Sequence, residues 1–495
     1  MISPQKLYES APAWLQNVLL NAHAARIERH RYGAPYRAVV ASLEEQERWP
    51  AERMRAYQDD RLRTIVRVAW ERSSYYRRVM SDAGLRADDI RGVADLHKLP
   101  LLPKEVVRTR PHELNTAQRP QSGWLHGHTS GTTGTPLGLW YDRNTCIMTN
   151  AVDRQHKRWA GMDDDAWIGV FLGRVVVPVA RQRAPFWRVN RVHRQVWFSS
   201  FHMSDENLAL YVAELRRRDI RALEGYPSTL YILAKHVLQH GTQLPMRAVV
   251  CSSETLHAAQ REAIEAAFAC RLSDFYGLAE RVIFAGECGH GGKHLAEAYG
   301  YTEVVNEQGD PVPDGEAGYL VGTSLHNVAT PMIRYRTSDI SAIMVERCAC
   351  GRTSRRIRDI TTKAEDIVVT PDGRMISPSV LTHPFKPLEH VGASQVVQES
   401  ADHIVVKLVP TEGYSAAEEE SLLAGLRERL GERMRVEVRH VASIPREASG
   451  KFRWVISNVD HQCRVSWEPP AGAGATMNSG TLPRGEAVEM SGSSR

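Results

Sequence analysis

Between about residues 120 and 345 the chain alternates short apolar runs with longer stretches of helical period, and this alternation limits the folds open to it. "RAVVCSS" (247–253) is strand-like, "HAAQREAIEAAFAC" (257–270) is helical, and "RLSDFYG" (271–277) is strand-like again; "AGYLVGTS" (317–324) is a further strand. Helices interleaved with strands cover the faces of a sheet, so the pattern predicts an α/β architecture. Residues 1 to about 120 read differently, as mostly helical. Leu62, Ile65, Val66, Ala69 and Trp70 share one helical face, and Gly84 ends that run. "LHKLPLLPKEVVR" (96–108) is a proline-punctuated connector.

The composition shifts near 345–366, where an Arg- and Thr-rich stretch contains "CACGRTSRRIRDITTKAED". "DIVVTPDGRMISP" follows and predicts a hairpin with its turn at Asp372 and Gly373. Strands ("QVVQES", "HIVVKLV"), a helix ("AAEEESLLAGLRERLGERM") and a strand ("RVEVRHV") complete an α+β module of about 95 residues, long enough to be a domain. From Glu468 the chain is Gly-, Ser-, Pro- and Ala-rich without periodicity and reads as disordered. The expected divisions are 1–120 (helical part of a large domain), 121–362 (its ligand-binding part), 363–462 (a small domain) and 463–495 (tail).

A chain of 495 residues exceeds one hydrophobic core. A net charge of +5 over that length is no nucleic-acid footprint, and the arginine clusters read as solvated faces. The most apolar run, "WIGVFLGRVVVPVA", is broken by Arg174 and Pro178 and cannot span a membrane. The N-terminus reads as an amphipathic helix rather than a signal peptide. Seven unevenly spaced cysteines make no disulfide framework, so a reducing cytoplasm is expected.

"HTSGTTGTPLG" (128–138) holds three glycines and five hydroxyl side chains. Glycine lets backbone N–H groups converge on an anion, and Ser130, Thr132 and Thr133 add donors, so the stretch reads as a phosphate cradle. It is not the P-loop of nucleotide hydrolases: Gly131 and Gly134 are three apart and no lysine follows. Three further stretches follow in order: "DFYGLAE" (274–280), "RYRTSDI" (334–340) and "PREASGK" (445–451). Together the four resemble the motifs of the adenylate-forming superfamily, the acyl-CoA synthetases and their relatives. "YGLAE" and "CACGRT" resemble the phenylacetate–CoA ligase family in particular. The helical N-terminus and "VTPDGRMISPSVLTHPF" look most like its branch associated with capsule or secondary-metabolite clusters.

The resemblance implies a large adenylating domain of layered α/β sheets with a helical N-terminal extension, plus a small mobile α+β C-terminal domain. It implies attack of a carboxylate on the α-phosphorus of ATP, loss of pyrophosphate, and transfer of the acyl group from acyl-AMP to a thiol or amine. Thr129, Ser130, Gly131, Thr132, Thr133 and Gly134 would hold the β- and γ-phosphates. Glu280 would be the Mg²⁺ ligand, because a hard cation on phosphates commonly takes only one or two protein carboxylates. Tyr276, beside Gly277, would stack on adenine, with Ser253 and Glu254 also against the base. Asp339 would accept from the ribose hydroxyls. Lys451 would reach the α-phosphate and the carboxylate as a catalytic point charge. Tyr226 and Pro227 would line the acid pocket.

The sequence departs from the family pattern in places. Thr135 and Leu137 stand where the phosphate loop often carries a lysine. "TKAED" (362–366) aligns with the hinge, so Lys363 replaces a nucleotide-contacting arginine and Glu365 and Asp366 stand at the hinge itself. A second constellation, Cys288, His294, Cys348 and Cys350, has the soft donors of a structural Zn²⁺ site, with His290 competing with His294. The alternative there is three thiols without metal.

The expected reaction is therefore acyl-CoA formation from a small carboxylic acid, with ATP, Mg²⁺ and CoA. The alternatives are transfer to a separate carrier protein or an amine, and a degenerate nucleotide- or acyl-binding protein. Neither nucleic acid nor membrane is an expected partner.

Overall fold

The computed structural model describes residues 8, 11–128, 138–178, 180–360, 368–372, 374–376, 378–385, 387–388, 390–444 and 453–459, with the backbone alone at 29, 30, 375 and 379. Residues 1–460 form one unit; the second, 461–495, which contains the predicted tail, lies outside the described residues.

After a short antiparallel pair, β1 (Leu125–His128) and β2 (Gly138–Tyr141), a nine-stranded sheet organises the chain. Its inner strands β3 (Ile168–Phe171), β5 (Gln195–Phe198), β6 (Ala222–Gly225), β7 (Ala248–Ser252) and β8 (Leu272–Gly277) are parallel, in the order β5-β3-β6-β7-β8. Antiparallel β4 (Trp187–Asn190) closes one side; β9 (Phe284–Glu287), β10 (Lys293–Leu295) and β14 (Arg356–Ile357) extend the other. Every residue of β7 is buried, as a parallel strand covered on both faces requires. Helical Pro227–Gln239 and Ala258–Phe268 make two of the covering crossovers. The predicted strand–helix–strand run at 247–277 is realised.

The first helix described from end to end, α1 (Ala13–Arg31), lies along β4, the free edge of this sheet. Two asparagines stand in for a missing strand. Asn17 Oδ1 accepts from Val189 N (2.9 Å), Asn21 Nδ2 donates to Val189 O (2.8 Å), and Asn21 Oδ1 accepts from Arg191 N (2.7 Å). An open edge would otherwise present unpaired backbone groups to any passing strand.

The predicted helical face at 62–70 is present in Ala51–Arg72: Leu62, Ile65, Val66 and Ala69 are fully buried and Trp70 packs beside them. They share one core with Leu320 and Tyr335 of the antiparallel sheet β11 (Gly300–Val305), β12 (Gly318–Ser324) and β13 (Tyr335–Ser341), and with Met332 just before β13. Helix Ala51–Arg72 thus shares a hydrophobic core with the β11–β13 sheet. The expected connector at 96–108 carries a short helix, Lys104–Thr109.

The C-terminal module is a four-stranded sheet, Val391–Ser400, His403–Pro410, Arg435–His440 and Val455–Ser457, against helix Ala416–Leu430. That helix starts in a capping box, Ser415 with Glu418, and stops four residues before its predicted end because Gly431 adopts φ +85°. The predicted hairpin forms between Val368–Val369 and Met375–Ile376, with Asp372 in its turn; Gly373 lies outside the described residues. Buried Arg374 ties the module to the large domain. Its guanidinium donates to Phe201 O (3.1 Å), Arg429 O (2.9 Å) and Leu430 O (2.9 Å), the last two at the negative end of the helix.

Candidate active site

Strands β6, β7 and β8 end side by side, and in parallel sheets ligands bind outside such carboxyl ends. The residues predicted from motifs collect there. Tyr226 and Pro227 follow β6, Ser253 and Glu254 follow β7, and Tyr276 and Gly277 finish β8, with Glu280 three residues beyond. Ser253 has φ +71°, a left-handed conformation that β-carbon sterics disfavour. Glu254 Oε2 accepts the backbone N–H of Ser228 (3.1 Å) in the first turn of helix Pro227–Gln239, where the helix end favours an anion. The ends of β6 and β7 are thereby tied together.

Glu280 is buried, and Tyr335 Oη donates to its Oε1 at 2.7 Å. The loop carrying it is anchored on both sides. Tyr141 Oη donates to Ala279 O (2.5 Å), the Arg281 guanidinium stands 3.9 Å above the Tyr141 ring, and Arg281 donates to Cys146 Sγ (3.0 Å). Arg281 itself has φ +55°. Tyr335, Tyr141 and Arg281 were not among the predicted residues. Tyr335 lies inside "RYRTSDI", so its signal was present; Tyr141 and Arg281 have none beyond adjacency to motifs.

Tyr276 and Asp339 are brought together across two sheets. Tyr276 Oη donates to Asp339 Oδ2 at 2.7 Å, and Asp339 N donates to Thr337 Oγ1 (3.1 Å). Burial, then the Asp339 charge, pushes the Tyr276 hydroxyl well above its ordinary range, so it remains a neutral donor. Tyr226 is half-buried against Gly173, where a β-carbon would lie 2.6 Å from Val380 Cγ2 of the C-terminal module and 3.2 Å from the Tyr226 ring. It stands where the two parts of the chain meet. Pro227 is buried at the helix start.

Beneath β8 lies a charge cluster not predicted from the sequence. Lys293, almost fully buried, sits 3.2 Å from Asp274, 3.5 Å from Glu287 and 2.6 Å from Asp359. Arg261 adds a second cation 2.6 Å from Glu287. Burial pushes Asp274 up to about 6 against the pull of Lys293, whereas the surrounding carboxylates keep Lys293 charged. The cluster fixes the strand from which Tyr276 projects.

Cys288, His294, Cys348 and Cys350 converge, with their donor atoms all within 4.8 Å of one another. Cys288 Sγ lies 3.4 Å from Cys348 Sγ, and Cys350 Sγ 3.3 Å from His294 Nε2. His294 Nδ1 bonds Ser354 Oγ at 2.9 Å, which fixes the ring and turns Nε2 toward the thiols. His290 is not part of this group. Thr129 to Gly134, Lys363, Glu365, Asp366 and Lys451 lie outside the described residues.

Known proteins are similar to this chain over most of its length. Residues 86–329 match the AMP-binding enzyme family and residues 368–458 the CapK C-terminal domain. A phenylacetate–coenzyme A ligase of Thermus thermophilus is 28% identical over 353 residues, 66% of this chain and 74% of that one. Protein CapK of Staphylococcus aureus is 24% identical over 465 residues, 92% of this chain and 99% of that one. Among solved structures, a 2-hydroxyisobutyryl-CoA ligase in complex with its acyl-AMP and CoA has a similar fold, with a TM-score of 0.55 at 23% identity over 84% of this chain and 91% of that one. The chain is thus similar to the AMP-binding enzymes over residues 86–329, to phenylacetate–CoA ligases over two thirds of its length, and to CapK over nearly all of it.

Proposed function

We propose that this chain activates a small carboxylic acid with ATP as an acyl-adenylate and passes the acyl group to CoA, releasing AMP and pyrophosphate. The observation that carries this reading is the grouping of Glu280, Tyr276 and Asp339 beside the carboxyl ends of parallel strands, in a chain whose curated relatives include CoA ligases. Asp339 offers carboxylate oxygens to a ribose diol, and Tyr276 offers a ring face for the base while its hydroxyl orients Asp339. Glu280 is a hard oxygen donor suited to Mg²⁺, which would supply charge neutralisation on the phosphates. The stretch 129–134 holds the phosphates, and Lys451 meets the charge that moves between carboxylate and α-phosphate. Ser253, Glu254, Gly277 and Lys363 complete the nucleotide site, and Tyr226 and Pro227 the acid pocket. Residues 368–458 act as the small domain, turning about Glu365 and Asp366.

Three thiols and one imidazole, already converged, suit Zn²⁺ bound by four protein ligands, a structural role with no open position.

ATP–pyrophosphate exchange over a panel of carboxylic acids, followed by acceptor trials with CoA, tests the reading. Lys451→Ala should lower exchange by about 10²–10³ and leave thermal stability unchanged. No exchange with any acid, or an acyl-adenylate that only an amine or carrier protein discharges, would overturn it.

A further inference from the structure

The outer face of the first half of α1 is apolar, and no other described residue covers it. Trp14 is 67% exposed, Val18 54% and Leu19 41%; Val192, in the β4–β5 turn beside the helix, is 38% exposed. These are four of the seven large hydrophobic side chains exposed among the described residues, so the apolar exposure is concentrated rather than scattered. The pattern along the helix explains why. Gln16, Asn17, Asn21 and Ala24 face β4 and the core, with Gln16 Oε1 accepting from buried Arg188 Nε at 2.6 Å. At 100° per residue, Trp14, Leu15, Val18, Leu19 and Ala22 then fall together on the opposite side. Hence the first half of α1 meets the sheet edge with polar side chains and turns the apolar stripe of Trp14, Val18 and Leu19 to solvent, the reverse of an ordinary surface helix, whereas over its whole length apolar residues are spread around the helix.

The two segments that build this surface carry no acidic side chain. No Asp or Glu occurs from residue 10 to 27 or from 171 to 203, whereas the second segment carries six arginines. Arg26 on the helix and Arg191 beside Val192 are exposed. Glu28, the next acid along the helix, is engaged by His193 at 3.1 Å. Arg191 is placed at the helix by its backbone N–H bond to Asn21.

We propose that this face is a docking surface for a bilayer carrying anionic lipid, with α1 lying in the headgroup region. Trp14, Val18, Leu19 and Val192 enter the acyl boundary, and Arg26, Arg191 and neighbouring arginines meet the lipid charge. A second copy of the chain fits less well, because a two-fold contact through the stripe sets Arg26 and Arg191 near their own counterparts. This differs from a membrane span: no helix among the described residues is long and apolar enough to cross a bilayer.

The test is sedimentation of the full chain with vesicles of phosphatidylcholine mixed with phosphatidylserine, and with phosphatidylcholine alone. Binding to the anionic vesicles is expected, weakened by salt. Because Trp14, Val18 and Leu19 are exposed, a W14A/V18S/L19S variant should keep its fold and lose at least about tenfold in binding. R26Q and R191Q should each lose roughly fivefold. No sedimentation of the parent with anionic vesicles, or unchanged binding by the triple variant, overturns the proposal. So does a concentration-dependent dimer in analytical ultracentrifugation that the triple variant abolishes, which would make the occupant a second copy.

Discussion

Tyr335 Oη donates to Glu280 Oε1 at 2.7 Å in a buried setting, so the carboxylate assigned to Mg²⁺ is held by a residue from the neighbouring sheet. Tyr335→Phe removes only that hydroxyl. A buried carboxylate that loses a donor costs about 1–3 kcal/mol, and its oxygen is no longer aimed. We expect a modest fall in melting temperature and a raised Mg²⁺ requirement in pyrophosphate exchange. Glu280→Gln should raise the Mg²⁺ requirement further. Metal dependence unchanged in both variants would remove Glu280 as the ligand and Tyr335 as the residue that positions it.

Tyr276 and Asp339 separate two contributions to nucleotide binding. Tyr276→Phe keeps the ring and loses the 2.7 Å bond, so base stacking persists while Asp339 is less well oriented. The expected outcome is a several-fold rise in KM for ATP, on the order of 1 kcal/mol because only the aim of Asp339 is loosened, with little change in kcat. Asp339→Asn loses the charge itself and should raise KM more. Steady-state kinetics of the two variants decide; an equal, negligible effect would place the ribose elsewhere.

The parallel sheet was legible because β7 is an almost continuous apolar run and β8 a short strand-like segment, with a helix of clear period between them. The motif residues were legible because "DFYGLAE" and "RYRTSDI" have little reason to recur by chance in that order. Other features were hidden for physical reasons. The Tyr335–Glu280 bond joins residues 55 apart in sequence through tertiary packing, which no local pattern encodes. Lys293 reads as a solvated charge in "GGKHL", yet it is buried among three carboxylates contributed by distant strands and loops. Asn17 and Asn21 look like polar interruptions of a helix, and their role appears only once β4 is known to be an edge.

Two buried histidines should make stability fall in mild acid. Burial holds His156 down to about 3, helped by Lys157, Lys293 and Arg352; its Nε2 faces Ser273 Oγ at 3.0 Å. Burial holds His326 down to about 4, with Arg61 lowering it further and Ala298 O and Asp142 pulling the other way. Both folded values lie below the ordinary 6.5, so between 6.5 and about 4 the unfolded chain binds protons that the folded chain refuses. Stability is full above 6.5 and is lost as pH falls, by on the order of 2 kcal/mol per histidine at pH 5. Urea unfolding at pH 7, 6 and 5 should show this decline. A flat profile across that window would mean that these rings accept protons in the folded state.

The thiol cluster makes the most specific prediction about composition. Cys288 lies just past β9, His294 lies in β10, and Cys348 and Cys350 lie on the loop leading to β14, so one ion would staple the outer edge of the large sheet to that loop. Four protein ligands leave no position for substrate, and His294 is already oriented by Ser354. The purified protein should therefore carry about one zinc per chain by elemental analysis. A Cys348→Ser, Cys350→Ser double variant should lose the zinc and melt earlier, since the metal's binding energy contributes to folding. Activity measured well below the melting point should survive, because none of the four residues belongs to the group around Tyr276, Glu280 and Asp339. Ser354→Ala gives a milder check, expected to weaken zinc retention against a chelator by about 10- to 100-fold. Metal-free protein with full stability would leave the four side chains as packing residues, and a double variant that loses activity without losing stability would mean that the cluster serves the reaction directly.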